Sequence, residues 1–267
     1  MPADVEAKQR IARAFVASVD LSDLAQHGTR FFDAPPASFT PDAGKDQAAI
    51  VGSGILCYAR GVSAERRSAV NDSALLAQLI ANKTVPDASD IPAWYDAYFG
   101  VLTSVGWVFR ERGFSRYDAS SDNADVHDAI LSIAAGLLGG AAASAYQVIR
   151  VTLDTLKSLS DSSPWLTLFA RESQYAHAAR FQVSVVAQDD GEFVASLMAF
   201  ELDASVELSQ VLFFKFKSER TTLQQYSGTV AIDDAVLASV SADIAAKIAA
   251  FTTGYVKGLP DLGTPAS

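Results

Sequence analysis

Arg180-Phe181-Gln182-Val183-Ser184-Val185 alternates polar and apolar side chains, the two-residue period of a β-strand whose successive side chains point to opposite faces. Asp189-Asp190-Gly191 supplies a turn, and Phe193 to Ala204 supplies a second strand of similar length, so the pair reads as a hairpin. Gln210 to Lys217 reads as a further long strand. Its Val211-Leu212-Phe213-Phe214 places large apolar groups on both sides, which calls for cover on both faces of the sheet. A short strand is expected at 229–232, and 233–255 returns to helix.

The covers lie upstream. Residues 3–19 space Val5, Ile11, Ala14, Phe15 and Val19 as an amphipathic helix. Residues 32–44 carry Pro35, Pro36 and Pro41 and read as loop. Residues 48–59 form an apolar run read as one strand, with Gly52 and Gly54 marking a bulge. Asn71-Asp72-Ser73 is expected to cap a helix over 74–83, and Pro92 to open a second reaching Ser104. Trp107 to Phe114 suits a strand with mixed faces, and an acidic loop follows over 118–128. Residues 126–159 are helical in period, with Gly139-Gly140 placing either a turn between two helices or a bend in one. The reading is an α+β fold, an antiparallel sheet sandwiched between two helical hairpins. No linker interrupts 46–258, which reads as one domain, with 1–45 as an amino-terminal extension and 259–267 as a tail.

The chain has 267 residues, 49% hydrophobic and 19% charged, enough apolar surface for a large core, which excludes disorder and fibrous repeats. Thirty-one acidic against 21 basic residues give a formal charge of -10, which argues against nucleic acid as a partner. A lone cysteine, Cys57, excludes an internal disulfide and a cysteine-rich metal cluster. The start, Met1-Pro2-Ala3-Asp4-Val5-Glu6, lacks the basic and apolar blocks of a secretory signal.

Chemistry-bearing patterns are sparse. Gly52-Ser53-Gly54 lacks the third glycine of a dinucleotide fingerprint, and neither a phosphate loop nor a Gly-x-Ser-x-Gly elbow occurs. His27, His127 and His177 stand in no metal-ligand spacing. Asp118, Asp122, Asp125 and Asp128 precede a helix, where carboxylates already suit the helix dipole. Cys57 lies in an apolar run and reads as a buried small hydrophobe. The expectation is therefore no catalytic residue, no metal, no cofactor and no enzyme activity. The unusual stretch is 129–149, twenty-one residues without a formal charge. As a single helix it would rise about 30 Å and could cross a bilayer. It reads as a core helix or as a helix that transfers to a membrane on demand.

One block carries a family resemblance. Phe200-Glu201-Leu202-Asp203-Ala204-Ser205-Val206-Glu207-Leu208-Ser209-Gln210-Val211-Leu212-Phe213-Phe214 resembles the Phe-Glu block of the Cyt-type cytolytic delta-endotoxins, which runs ungapped into Gln-Val-Leu-Phe-Phe. Trp165 with Phe169-Ala170-Arg171-Glu172-Ser173, and Phe181-Gln182-Val183-Ser184-Val185 with the Asp190-Gly191 turn, are similar to further blocks of that family. The resemblance covers 126–232 well and implies a layered Cyt-like fold. It implies a toxin that is soluble when made and released without an evident signal peptide. Such a protein binds the phospholipid membrane of a target cell directly, assembles there as a homo-oligomer, and permeabilises it. Phe181, Val183, Val185, Phe193, Leu197, Val211, Leu212, Phe213 and Phe214 would then meet lipid or a neighbouring copy, with Arg171, Glu172, Glu207 and Lys215 as headgroup or assembly contacts. The alternative is a Cyt-like virulence or binding module that associates with membrane or a host protein and leaves vesicles sealed.

Overall fold

The computed structural model describes residues 2–24, 39–109, 113–118, 125–139, 143–175, 177–189, 192–204, 208, 210–216, 221–259 and 262. At its centre β6 (Ala178–Asp189) and β7 (Glu192–Asp203) pair antiparallel along twelve residues, from Ala178↔Asp203 to Asp189↔Glu192. The register places Phe181 opposite Phe200, and their rings stack at 4.8 Å. β8 (Thr222–Ile232) pairs with β7 over ten positions, so the expected short strand at 229–232 is the end of an eleven-residue one. Gln224, Gln225, Ser227 and Gly228 mask its period, since only Leu223, Tyr226, Val230 and Ile232 are buried apolar residues.

On the other side of β6 lie β1 (Gln47–Val51) and β2 (Gly54–Tyr58). The run read as one bulged strand is thus a hairpin, because Gly52, at φ 55°, turns the chain with Ser53 so that Val51 pairs with Gly54. β2 runs parallel to β6, which makes the sheet mixed and not wholly antiparallel. β3 (Trp107–Val108), β4 (Ser115–Tyr117), β5 (Gln174–Tyr175) and β9 (Val256–Gly258) finish the edges. The strand expected over 107–114 is therefore two residues at β3, and 110–112 lie outside the described residues.

Two helical layers cover the sheet. One holds α1 (Pro2–Ser18), α2 (Ala64–Thr84), α3 (Ile91–Ser104) and α7 (Asp234–Tyr255); the other holds α4 (Val126–Leu138), α5 (Ala143–Ser158) and α6 (Pro164–Ser173). The fold is α+β, a mixed sheet between helical layers. Side-chain oxygens start most of these helices: Ser63, Asp90, Asp125, Ser163 and Asp233 each accept a backbone N–H from the first turn. Asn71 and Ser73, expected at a cap, instead lie inside α2. Tyr58 donates from its hydroxyl to Asn71 Oδ1 at 2.6 Å, and the Ser73 hydroxyl donates to the Val70 carbonyl, so neither is free to cap. Gly139, at φ 60°, ends α4, which makes two helices of 126–159.

Residues 210–216 do not form a strand, and Lys217 lies outside the described residues. Val211–Phe213 forms a single 3-10 turn, and the Phe214 carbonyl accepts the Val126 N–H at 3.0 Å. Both Val211 and Leu212 turn into the core beneath α4 and α5. Apolar groups on both sides of this stretch reflect a tight turn wedged under a helix, not a sheet strand.

Candidate functional site

The alternation that identifies β6 assigns its side chains to two different cores. Phe181, Val183 and Val185 point to the α4–α5–α6 layer, while Arg180, Gln182 and Ser184 point to α2 and α3, and all six are buried. Polar residues on a strand usually face water; here they lie under a second layer. The same alternation in β7 sends Met198, Phe200 and Leu202 towards α4–α5 and Phe193, Ala195, Leu197 and Ala199 towards α2–α3.

Of the lipid-facing candidates, Phe181, Val183, Val185, Val211 and Leu212 therefore share one core, with Phe213 and Phe214 packed part-buried against it. Phe193 and Leu197 belong to the opposite face. None of the nine is exposed in this conformation. Arg171 and Glu172 sit at the end of α6, Arg171 donating from Nε to Glu172 Oε1 at 2.6 Å and lying 5.3 Å from the Tyr255 ring. Burial pushes the Glu172 carboxyl above its usual range, and Arg171 opposes the shift. Lys215 is exposed and bridges to Asp125 through the backbone. Glu207 lies outside the described residues.

The residues missed at the sequence level form a polar seam under α2 and α3. The Tyr95 hydroxyl reaches the carbonyls of Phe181 at 2.9 Å and Phe200 at 2.7 Å, and it accepts from Gln182 Nε2 at 3.3 Å. Gln78 donates to the Val51 carbonyl at 2.8 Å and accepts the Ser53 N–H at 3.0 Å. Arg180 lies between the Trp94 and Tyr175 rings, at 4.3 and 4.2 Å, and donates to Asn82 Oδ1 and the Ala88 carbonyl. Arg67, fully buried, donates to the carbonyls of Val62, Lys45 and Ala59 and to Gln47. The only signal for this seam in the sequence is the polar half of the β6 alternation; nothing local marks Tyr95 or Gln78 as its partners.

The α4–α5 layer is attached differently. Among the described residues, α5 has one side-chain hydrogen bond to the sheet, Cys57 Sγ to Thr152 Oγ1 at 3.5 Å, a weak thiol donor at long range. Its other contacts with the sheet are apolar. Burial raises the Cys57 thiol to about 12, so it is inert while α5 covers it. The charged groups of the hairpin bind its two helices to each other: His127 Nε2 lies 3.3 Å from Asp154, and Lys157 lies 3.7 Å from Asp125. His127 Nδ1 is 3.3 Å from Asp128 and 4.0 Å from Asp125. Asp125, His127 and Asp128 thus stand close enough to surround a cation, but Asp125 already caps α4 and faces Lys157.

No continuous helix runs over 129–149, since α4 ends at 138 and is too short, at about 20 Å, to cross a bilayer. One described helix does meet that length and composition, α7 over Asp234–Thr252, with a mean hydropathy of 1.5. Its Val236, Leu237, Val240, Ile244, Ile248 and Phe251 face the core at helical spacing, which is the pattern of a core helix. A surface cleft between α2 and α7 includes Arg66, which is held by Asp234 at 2.8 Å and stacks over Phe193.

No family model matches the chain, and no curated protein matches it. Among solved structures it is similar to the Evf virulence factor, at 10% identity over 89% of this chain and 90% of that one, with a TM-score of 0.32. A likeness this distant carries no argument about function.

Proposed function

We propose that this chain is a non-enzymatic protein that binds phospholipid directly and permeabilises membranes, assembling on the bilayer with further copies of itself. The observation that supports this most is the dry sheet face of Phe181, Val183, Val185, Met198 and Phe200, covered by a hairpin that holds it through apolar packing. Exposing such a face to water costs about 25 cal/mol per Å² of apolar surface. Exchanging helix side chains for lipid tails costs far less, because both surroundings are apolar. Strand edges that enter hydrocarbon need their backbone groups paired, which neighbouring copies supply. The resemblance of 126–232 to the Cyt-type cytolysins points the same way.

The test is flotation with phosphatidylcholine vesicles together with release of a trapped dye, using intact and trypsin-nicked protein at neutral and mildly acidic pH. Release from either sample is the expected result. Flotation with sealed vesicles would favour the binding-module reading instead, and neither flotation nor release would remove the membrane reading.

A further inference from the structure

We infer that the start of α4 binds one divalent transition-metal ion of the zinc class through His127 Nδ1, Asp128 and Asp125, with Asp154 of α5 fixing the imidazole from its far side. The inference is independent of the permeabilising reading, since a chain that leaves vesicles sealed would hold the ion equally well.

The imidazole carries the argument. The His127 side chain is only 6% exposed, yet both ring nitrogens face carboxylates. Nε2 lies 3.3 Å from Asp154 Oδ1, and Nδ1 lies 3.3 Å from Asp128 Oδ1 and 4.0 Å from Asp125 Oδ1. A neutral imidazole has a single ring N–H to give. Donated from Nε2 to Asp154, that proton leaves Nδ1 with a lone pair aimed at the lone pairs of two carboxylates. A buried acceptor without a donor is costly, and a cation between the three atoms removes the cost.

The spacing suits an ion. At about 2.1 Å from each ligand, a tetrahedral ion holds its ligand atoms about 3.4 Å apart. The Nδ1–Asp128 separation of 3.3 Å already matches, and all three ligand atoms lie within 4.8 Å of one another, so a turn of the Asp125 carboxylate closes the set. Asp125 Oδ1 accepts the Asp128 N–H at 2.9 Å, but an ionised carboxylate has further lone pairs, and capping leaves room for a metal bond. Lys157 comes no nearer than 3.7 Å to Asp125 Oδ2, beyond hydrogen-bond distance, and is half exposed, so it yields to the ion. Asp125, Asp128 and Asp154 outnumber the neighbouring Arg150 and Lys157, which keeps the surroundings negative. Asp128 is also half exposed, and that side gives the ion its way in and a place for water as fourth ligand.

Ligand chemistry selects the ion. Calcium and magnesium take oxygen ligands, whereas imidazole beside carboxylates suits zinc and its neighbours. A carboxylate on the far nitrogen of a ligating histidine fixes its tautomer and raises its basicity. Asp154 supplies that group from α5, so an ion bound in the first turn of α4 tightens the contact between the two helices. Spacing rules for histidine and cysteine pass over this set, because its other members are carboxylates at positions 125, 128 and 154.

The test titrates zinc chloride into the full chain by calorimetry at neutral pH, after treatment with a chelator and its removal by dialysis. One ion per chain is expected, together with a rise in Tm when zinc is present. His127→Gln and Asp128→Ala should each lose binding, and Asp154→Ala should weaken it about tenfold or more. His177→Ala controls for capture by another histidine and should change nothing. Cobalt(II) gives a second readout: the visible bands of a tetrahedral ion are expected in the parent protein and not in Asp128→Ala. Should His127→Gln fail to fold, Asp128→Ala decides, because its side chain is half exposed. No zinc binding by the folded chain overturns the inference and leaves a helix cap with a hydrogen-bonded histidine. Binding that survives Asp128→Ala overturns it too, since the ion then lies elsewhere.

Discussion

The Tyr95 hydroxyl spans two strands, lying within hydrogen-bond distance of the Phe181 and Phe200 carbonyls while accepting from Gln182. Replacing it with phenylalanine strands those groups in a dry core, so Tyr95→Phe is expected to cost about 1–3 kcal/mol in urea unfolding with little change in slope. Asp72 behaves in the opposite sense. Burial raises its carboxyl from 3.8 to about 6, so the folded protein holds that proton more tightly than the unfolded chain does. The destabilisation is absent below about pH 4, grows between pH 4 and 6, and is complete above. Asp72→Asn should therefore raise Tm at pH 7 and leave it nearly unchanged at pH 4, as calorimetry at the two pH values would read. The sequence shows why such residues escape notice. Asn71-Asp72-Ser73 has the composition of a cap, and only the strand that brings Tyr58 against Asn71 gives it another use.

At the scale of elements, the periodic ones were legible: β6, β7, α7 and the pair α4 and α5 follow from apolar spacing and the glycine between them. What escaped was set by tertiary contact. The turn at Val211–Phe213 takes its shape from α4 above it, β8 is identified by its pairing with β7, and β2 lies parallel to β6 across 119 intervening residues that no local pattern encodes. Of the nine apolar residues expected to meet lipid or a neighbouring copy, Phe181, Val183, Val185, Phe193 and Leu197 lie on strands, with Phe193 and Leu197 on the opposite face from the other three, whereas the strand expected over Val211 to Phe214 is a turn and its exit. Gly139 closes α4 at φ 60°, a conformation other residues adopt only under strain, so Gly139→Val should lower stability by about 1–2 kcal/mol. The Cys57–Thr152 approach of 3.5 Å also permits a lock. Thr152→Cys is expected to form a disulfide that fastens α5 to β2. Oxidised protein should release vesicle dye far more slowly than the same protein reduced, and equal rates would show that α5 need not move.

Across the whole molecule, the charge of -10 bears on the proposed membrane binding by favouring neutral over anionic lipid. An acidic protein is repelled by the negative surface of phosphatidylserine-rich bilayers, so binding should change by no more than about twofold when that lipid is added to phosphatidylcholine. A steep rise with anionic lipid, read by flotation, would contradict this. The two layers give the molecule a division of labour: the α2–α3 side is fastened to the sheet through Tyr95, Gln78, Arg67 and Arg180, and the α4–α5 side is packed on it. The most direct measurement is current across a planar phosphatidylcholine bilayer with folded protein added to one side. Discrete, lasting conductance steps are predicted; a bilayer that stays insulating while the protein is bound to it would contradict the account.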